Sequence, residues 1–452
     1  MAPLATRRWG PRAGQSGAAT LVVVMLLFFV VSLAAAYAGR NLVFEQRTSA
    51  NQYRYTQGYE AAEAGVEWAI AMLNAGRVDD SCLPTTDTSM ATFRQRYLSI
   101  DTGSGATSGH VTPTLRSDGT TSLWAACVND GTTWNCDCPT DAEPTPVLPT
   151  TAGPHPAFSV RFRRVAANAA TAPSDPGVIR IEVNGCSEWS TECAFASRSG
   201  SYQFCGTTLC AMLGLYSAAK TTPAVAITSK GTVAGTLTVN DSRTGQAGAL
   251  AIRSGDTIDT TSMSLNVSSA PGTPNSAKVY ELDPALGAGL PVDGPGCMYC
   301  LFTGATGLWP TAYRDQPAAL RIDCSISCTS TTLATAAQLN PGRILWLEGA
   351  GGASIDSAGD IGSATNPVML VVEGPFQLNN ASANVYGVVY VGLHPSAVPG
   401  ATLSAGAIHG ALYSASVVGG TGGEVNFDED VLRALRLASG SFVRIAGSWR
   451  DF

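Results

Sequence analysis

The sequence predicts an α+β protein: a long amino-terminal helix able to span a membrane, a β-sheet region packed on that helix, and a mostly-β carboxyl-terminal head. Three observations carry this. No charged residue interrupts the stretch between Arg12 and Arg40, and its apolar part runs from Ala18 to Gly39. Apolar residues alternate with polar ones at Phe158-Ser159-Val160-Arg161-Phe162 and at Val178 to Val183, the period of a half-buried strand. After Leu215, short alternating runs divided by Gly, Ser, Asn and Asp recur at regular intervals.

The amino-terminal element comes first. About 22 apolar residues measure about 33 Å as a helix, enough to cross a bilayer core. A basic flank holding Arg7, Arg8 and Arg12 precedes them. A secretory signal would be cut near Ala36-Tyr37-Ala38 and lose the run. The pair Arg7-Arg8 suggests a twin-arginine signal, although Trp9-Gly10-Pro11 departs from the apolar residues expected next. A permanent signal anchor would keep the whole leader, with the basic flank in the cytoplasm.

A fourth reading accounts for more residues. Gln15-Ser16-Gly17, then Ala18 and the run Leu21 to Phe29, followed by Asn41 to Tyr53 and Tyr59-Glu60-Ala61-Ala62-Glu63-Ala64-Gly65-Val66-Glu67-Trp68-Ala69, resembles the amino-terminal region of PilX-type minor pilins. The resemblance covers roughly residues 15 to 75 and returns more loosely at the carboxyl end. It implies cleavage by a prepilin peptidase between Gly17 and Ala18, survival of the apolar helix, and a pilin-like β-sheet region. It also implies other pilins and the inner-membrane pilus assembly machinery as partners. One position departs from major pilins, which usually carry a glutamate at the fifth mature residue to compensate a neighbour's charged amino terminus. Here that position is Val22. Burying an ammonium group without a partner is costly. The chain is therefore suited to rare or terminal incorporation, as in some minor pilins and the tip subunit of the type II secretion pseudopilus.

Past the apolar run, Phe44, Thr48, Asn51, Tyr55, Ala62, Val66, Ala69 and Leu73 recur at helical spacing and predict one buried face. Arg47, Arg54, Glu60, Glu63 and Glu67 fall beside or opposite it and read as a solvated face, with Trp68 as core. Five segments follow: a leader at 1–17, the helix at 18–75, an irregular Thr- and Pro-rich region with cysteines at 76–157, the pilin-like β region at 158–215, and a repetitive β-rich head with a short carboxyl-terminal helix at 216–452. Thr145 to Thr150 reads as an extended loop, and Asn184-Gly185 as a turn.

In the head, Val225–Ile227, Leu237–Val239, Leu250–Ile252 and Met263–Leu265 recur about every 12 to 13 residues. Ile344–Leu347, Val368–Val372, Val385–Val391 and Ile408–Tyr413 then recur about every 20, the scale of one β-solenoid coil. An antiparallel sandwich is the competing architecture. The acidic group Asp428-Glu429-Asp430 lacks the glycine and spacing of a calcium loop and reads as the start of a helix, Asp428 capping it.

The chain has 452 residues, a formal charge of -7 and only 13% charged residues, which fits a β- and loop-rich extracellular protein and gives no support to nucleic-acid binding. Cys82, Cys127, Cys136, Cys138, Cys186, Cys193, Cys205, Cys210, Cys297, Cys300, Cys324 and Cys328 all lie beyond the apolar run. In an oxidising compartment they are expected to form disulfides, whose connectivity spacing does not give. Zinc is the alternative, since Cys297/Cys300 and Cys324/Cys328 have ligand-like spacing.

Catalytic motifs are lacking. His110, His155, His394 and His409 sit in no zinc-protease or nucleophile-elbow pattern, and the glycine-rich Gly103 to Gly109 reads as a flexible turn rather than a phosphate loop. The expectation is a non-enzymatic minor pilin without cofactor or metal. It would sit in the inner membrane with its carboxyl terminus in the periplasm, then in a type IV pilus at the cell surface, supporting assembly and displaying a head for adhesion or aggregation. A type II secretion pseudopilus tip subunit is the alternative, as is a membrane-anchored periplasmic solenoid that binds or cleaves polysaccharide. Nothing in the sequence names a surface ligand.

Overall fold

A computed structural model describes residues 16–165, 176–189, 193–195, 208–241, 243, 249–270, 272–286, 299–393 and 400–448. The leader arginines, Gln15, Cys205, Cys297, His394 and the last four residues lie outside this set. The chain forms two compact units, Met1–Gln57 and Gly58–Phe452. One α-helix, Ser16–Leu73, contributes to both.

In the first unit the helix is the only described element, and every residue from 17 to 56 is exposed. The predicted stripe therefore divides. Phe44 and Tyr55 are 71% and 66% exposed, whereas Ala62, Val66, Ala69 and Leu73 are buried. Helical spacing marks a face, but it does not say how far along a helix the chain's own partner extends.

The second unit begins where the helix meets a six-stranded antiparallel sheet. Its strands, in spatial order, are Gly440–Arg444, Leu209–Ser217, Val178–Cys186, Ala157–Arg163, Trp124–Asn129 and Trp134–Asp137. Phe158, Val160 and Phe162, with Ile179, Ile181 and Val183, share a hydrophobic core with Val66, Ala69 and Leu73, the alternation that one buried sheet face requires. Trp68 meets Phe93 and Phe158 edge-on or tilted, at 5.3 and 5.5 Å. Asn184-Gly185 is not a turn: the strand continues to Cys186. A Cβ on Gly185 would sit 2.0 Å from the Gly58 carbonyl oxygen and 2.4 Å from the Ala62 nitrogen. Glycine is needed here because two backbones touch, not because the chain reverses.

The segment read as irregular is more ordered than its composition suggests. It supplies two strands of that sheet, the helix Phe93–Tyr97 with a Thr92 and Gln95 capping box, and a separate hairpin of Leu98–Ile100 with Val111–Pro113. Disulfides join Cys82 to Cys138, Cys127 to Cys136, Cys186 to Cys193 and Cys324 to Cys328, and Cys210 and Cys300 are also disulfide-bonded. The thiolates that a zinc site would need at Cys324 and Cys328 are thus consumed in a bond to each other.

Among the described residues, two parallel sheets of twelve and five strands, with short helices between their strands, form the head. In the larger, Ile344 lies opposite Met369, Met369 opposite Val388, and Val389 opposite Leu412. In the smaller, Cys328 lies opposite Ala353, Ala353 opposite Phe376, and Phe376 opposite Ala401. Parallel pairing rules out the antiparallel sandwich. The inward residues, among them Leu345, Leu370, Val389 and Leu412, form one core. Gly387 and Gly410 are register partners with φ near +133° and +139°, and a Cβ on either would lie 1.9 Å from a neighbouring carbonyl oxygen.

Chain order and spatial order differ. Strand Ile227–Ser229 pairs with Ala407–Ser414, and Thr238–Asp241 with Glu424–Phe427, so the head's first strands stack on its last. Asp428 caps the helix Glu429–Ala438 by accepting from the amides of Asp430 and Val431, as its sequence suggests. Gly440–Arg444 then leaves the head and pairs antiparallel with Leu209–Ser217, Gly440 facing Ser217. The parallel sheets are therefore an insertion between two neighbouring strands of the antiparallel sheet.

Candidate functional site

The helix Ser16–Leu73 owes its first part to apolar side chains alone. Leu21, Val22, Met25, Phe28 and Phe29 are each more than half exposed. At about 25 cal/mol per Å² of apolar surface, such a run is not left in water. It needs a bilayer or other apolar helices. The described helix from Gly17 is long and apolar enough to span a membrane. Gly17 has open space around its Cα, and Ala18 and Val22 are exposed on the same helix. No carboxylate occurs from Gly17 to Phe44.

At its other end the helix is gripped. Arg94, 5% exposed, donates Nε to the Leu73 carbonyl at 3.0 Å, Nη1 to Ala438 at 3.0 Å and Gly342 at 3.3 Å, and Nη2 to Gly440 at 2.7 Å. Its guanidinium also lies over the Phe442 ring, 4.9 Å from the centroid. Leu73 ends the long helix and Ala438 ends the short one, so one cation serves carbonyls at two helix carboxyl ends. Burial, reinforced by Arg343, pushes its pKa down to about 9. It stays charged at neutral pH. Asn74 completes the clamp: its side chain donates to Phe442 O and accepts from Phe442 N. Neither Arg94 nor Asn74 stood out in the sequence, because nothing local marks a side chain whose partners lie hundreds of residues away.

The described histidines and the glycine-rich turn are dispersed. His155 contacts the carbonyls of Asn129 and Thr151, His110 is buried, and His409 stacks on Tyr386 with ring centroids 4.7 Å apart. His394 lies outside the described residues. In the glycine-rich turn, the Asp101 side chain accepts from the Gly103 amide and the Thr107 hydroxyl. A carboxylate already occupies the place an anion would take. Among the described residues no three or more His, Cys, Asp or Glu are grouped to hold a metal.

Residues 16–67 match a family model described as PilX N-terminal. No curated protein matches the chain. Among solved structures, the competence-associated pilin ComZ from Thermus thermophilus is similar at 13% identity and a TM-score of 0.22, over 88% of this chain and 97% of that one. At that score the likeness is too slight to carry an argument. The likeness to PilX N-terminal regions thus covers the long helix and none of the sheets.

Proposed function

We propose that this protein is a minor pilin of the PilX type, cut after Gly17 and held in the inner membrane by its apolar helix. It then enters a type IV pilus at or near an end, where it primes or regulates assembly and displays a β-solenoid-like head for adhesion or aggregation. Prepilin peptidase, other pilins and the inner-membrane assembly machinery are the partners this requires. The role is structural rather than enzymatic. The observation that carries the reading is the exposed apolar helix within the segment that matches the PilX model. Val22 favours scarce or terminal placement, because a chain lacking a carboxylate there leaves a neighbour's ammonium unpaired. The same feature suits a type II secretion pseudopilus tip, and copurification with one filament or the other separates the two.

The deciding experiment is mass spectrometry of the mature amino terminus. It should begin at Ala18, and a terminus at Gly39 would remove the helix and end this reading. Immunogold labelling should be confined to filament ends or the assembly complex, and labelling along the whole filament contradicts terminal placement. The topology also supplies a cleaner way to separate the head than truncation. Cutting after Leu215 would delete the edge strand Gly440–Arg444, whereas joining Ser217 to Gly440 through a short Asn-Gly turn retains it. Filaments should persist in that variant and head-dependent adhesion should be lost.

A further inference from the structure

The head carries a polar cleft that neither pilus assembly nor the core explains. It lies between the helix Ser330–Leu339 and the strand Gly359–Ile361, lined by Ser330, Thr331, Thr335, Gln338, Ser357 and Asp360. Ser330 shapes the wall: its hydroxyl accepts from the backbone amides of Asp356 and Ser357 at 3.0 and 3.1 Å. The side chains of Thr331, Thr335, Gln338 and Ser357 are exposed and make no hydrogen bond among the described residues. Their donors and acceptors are left for something else.

The polarity continues along the parallel sheet. Asp360 lies opposite Asn384 and accepts from its amide at 2.8 Å through Oδ1. Asn384 Oδ1 in turn lies 3.3 Å from His409 Nε2, and the His409 ring stacks on Tyr386. Through Asp360 the cleft thus borders an amide and a stacked aromatic pair on the sheet.

We propose that this cleft binds a neutral oligosaccharide. The proposal rests on the reading of the head as a displayed adhesive domain. Among the described residues the lining has no Lys or Arg, and the nearby Arg77 guanidinium already donates to the Gln338 and Met90 carbonyls, so a phosphate, sulfate or acidic polymer finds no free guanidinium or ammonium in the lining. The only branched apolar side chain lining it, Ile361, is buried, so a peptide's hydrophobic anchor finds no seat. A sugar hydroxyl both donates and accepts, as do the threonine and serine hydroxyls facing it. Gln338 and Asp360 add a planar amide and a carboxylate able to engage neighbouring hydroxyls.

The test uses the full chain in lipid nanodiscs, since a sugar-headed detergent would compete. Maltohexaose, cellohexaose, chitohexaose and, as an anionic control, heparin are titrated by calorimetry and saturation-transfer NMR. At least one neutral oligosaccharide should bind saturably and resist displacement by heparin. Thr335→Tyr, which fills the exposed cleft, and Asp360→Asn should each weaken it about tenfold or more, a loss equivalent to about 1.4 kcal/mol. Ala358→Trp serves as a second blocking variant should Thr335→Tyr fail to give the wild-type melting temperature. No saturable binding of any neutral probe, equal binding by folded blocked variants, or preference for heparin overturns the proposal. If binding fails while the mature terminus is Ala18, only the cleft assignment falls. If the terminus is elsewhere and binding holds, the pilin reading falls alone.

Discussion

The two parts of the helix Ser16–Leu73 are both rich in apolar residues and solve different problems. From Leu21 to Phe29 the side chains are large, apolar all round and exposed, with no polar stripe to set a direction. From Gly58 to Leu73 the residues facing the sheet are mostly small, namely Gly58, Ala62, Gly65, Val66 and Ala69, and glutamates occupy the other side. Small residues let the sheet approach to backbone contact, as at Gly58 and Gly185. The first part presents apolar surface that water disfavours, and the second presents a face that the sheet covers. Disruption should therefore appear as lost membrane or filament association in the first part and as lost stability in the second.

The sharpest way to break this comparison is one kind of substitution at two places. Val66→Asp puts a carboxylate at a site with 0% exposure and should cost more than about 4 kcal/mol, leaving the second unit unfolded or degraded. Leu27→Asp, at 59% exposure, should leave the thermal melt of solubilised protein within about 0.5 kcal/mol of wild type while abolishing filament incorporation. Equal loss of stability in the two variants would show that the first part also has a partner in the chain.

Disulfides sharpen the second half of the comparison. Cys82–Cys138 spans 56 residues and Cys324–Cys328 only 4. By loop-closure entropy the first contributes about 4 kcal/mol and the second about 2. Paired Cys→Ser variants followed by chemical denaturation should give losses in that order, without changing where the helix inserts.

Arg94 comes next. Arg94→Met leaves four carbonyls without their donor and should cost about 3 kcal/mol. Arg94→Lys should recover only part of this, because a single ammonium does not span carbonyls on three segments. The sign with pH follows from the lowered pKa. Between about 9 and the ordinary guanidinium range the unfolded chain holds a proton that the folded chain releases, so this group's contribution to stability rises with pH in that window. Below about 9 both states are protonated and it is flat. A difference between wild-type and Arg94→Met melting temperatures that stays constant from pH 7 to about 9 and changes above it is the expected result.

What the sequence made legible follows from the range of each interaction. The apolar run, the alternation at Phe158 to Phe162 and the cap at Asp428 depend on residues within a turn or strand of each other. All three appear in the structure where the pattern put them. Gly185 misled because a glycine needed for close approach and one needed for a turn look alike in sequence. Gly440–Arg444 reads in sequence as part of the head, because proximity along the chain says nothing about its pairing with Leu209–Ser217. Arg94 was invisible for the same reason. The polar cleft was hidden too: Thr331, Thr335 and Ser357 are ordinary surface residues until the helix and strand that carry them are brought together.

The smallest expected effect concerns a turn within the second unit, where a polar contact rather than apolar burial sets the conformation. Between strands Trp124–Asn129 and Trp134–Asp137, the Asp130 carboxylate accepts from the amides of Thr132 and Thr133, both at 2.8 Å, and from both hydroxyls. The Thr133 and Thr132 amide bonds, followed by the hydroxyls, hold its pKa below the usual carboxylate value. A depressed folded pKa stabilises above the unfolded pKa of about 4 and loses that contribution as pH falls through the lower folded value. The Asp130 carboxyl carbon should therefore remain ionised by NMR at pH 3, and the Thr132 and Thr133 amides should shift only under stronger acid. Asp130→Asn should remove that acid dependence and speed exchange at the two amides while leaving the helix and the parallel sheets unchanged. Titration of Asp130 at the ordinary value would show that the turn is held by its neighbouring strands and the Cys127–Cys136 bridge instead.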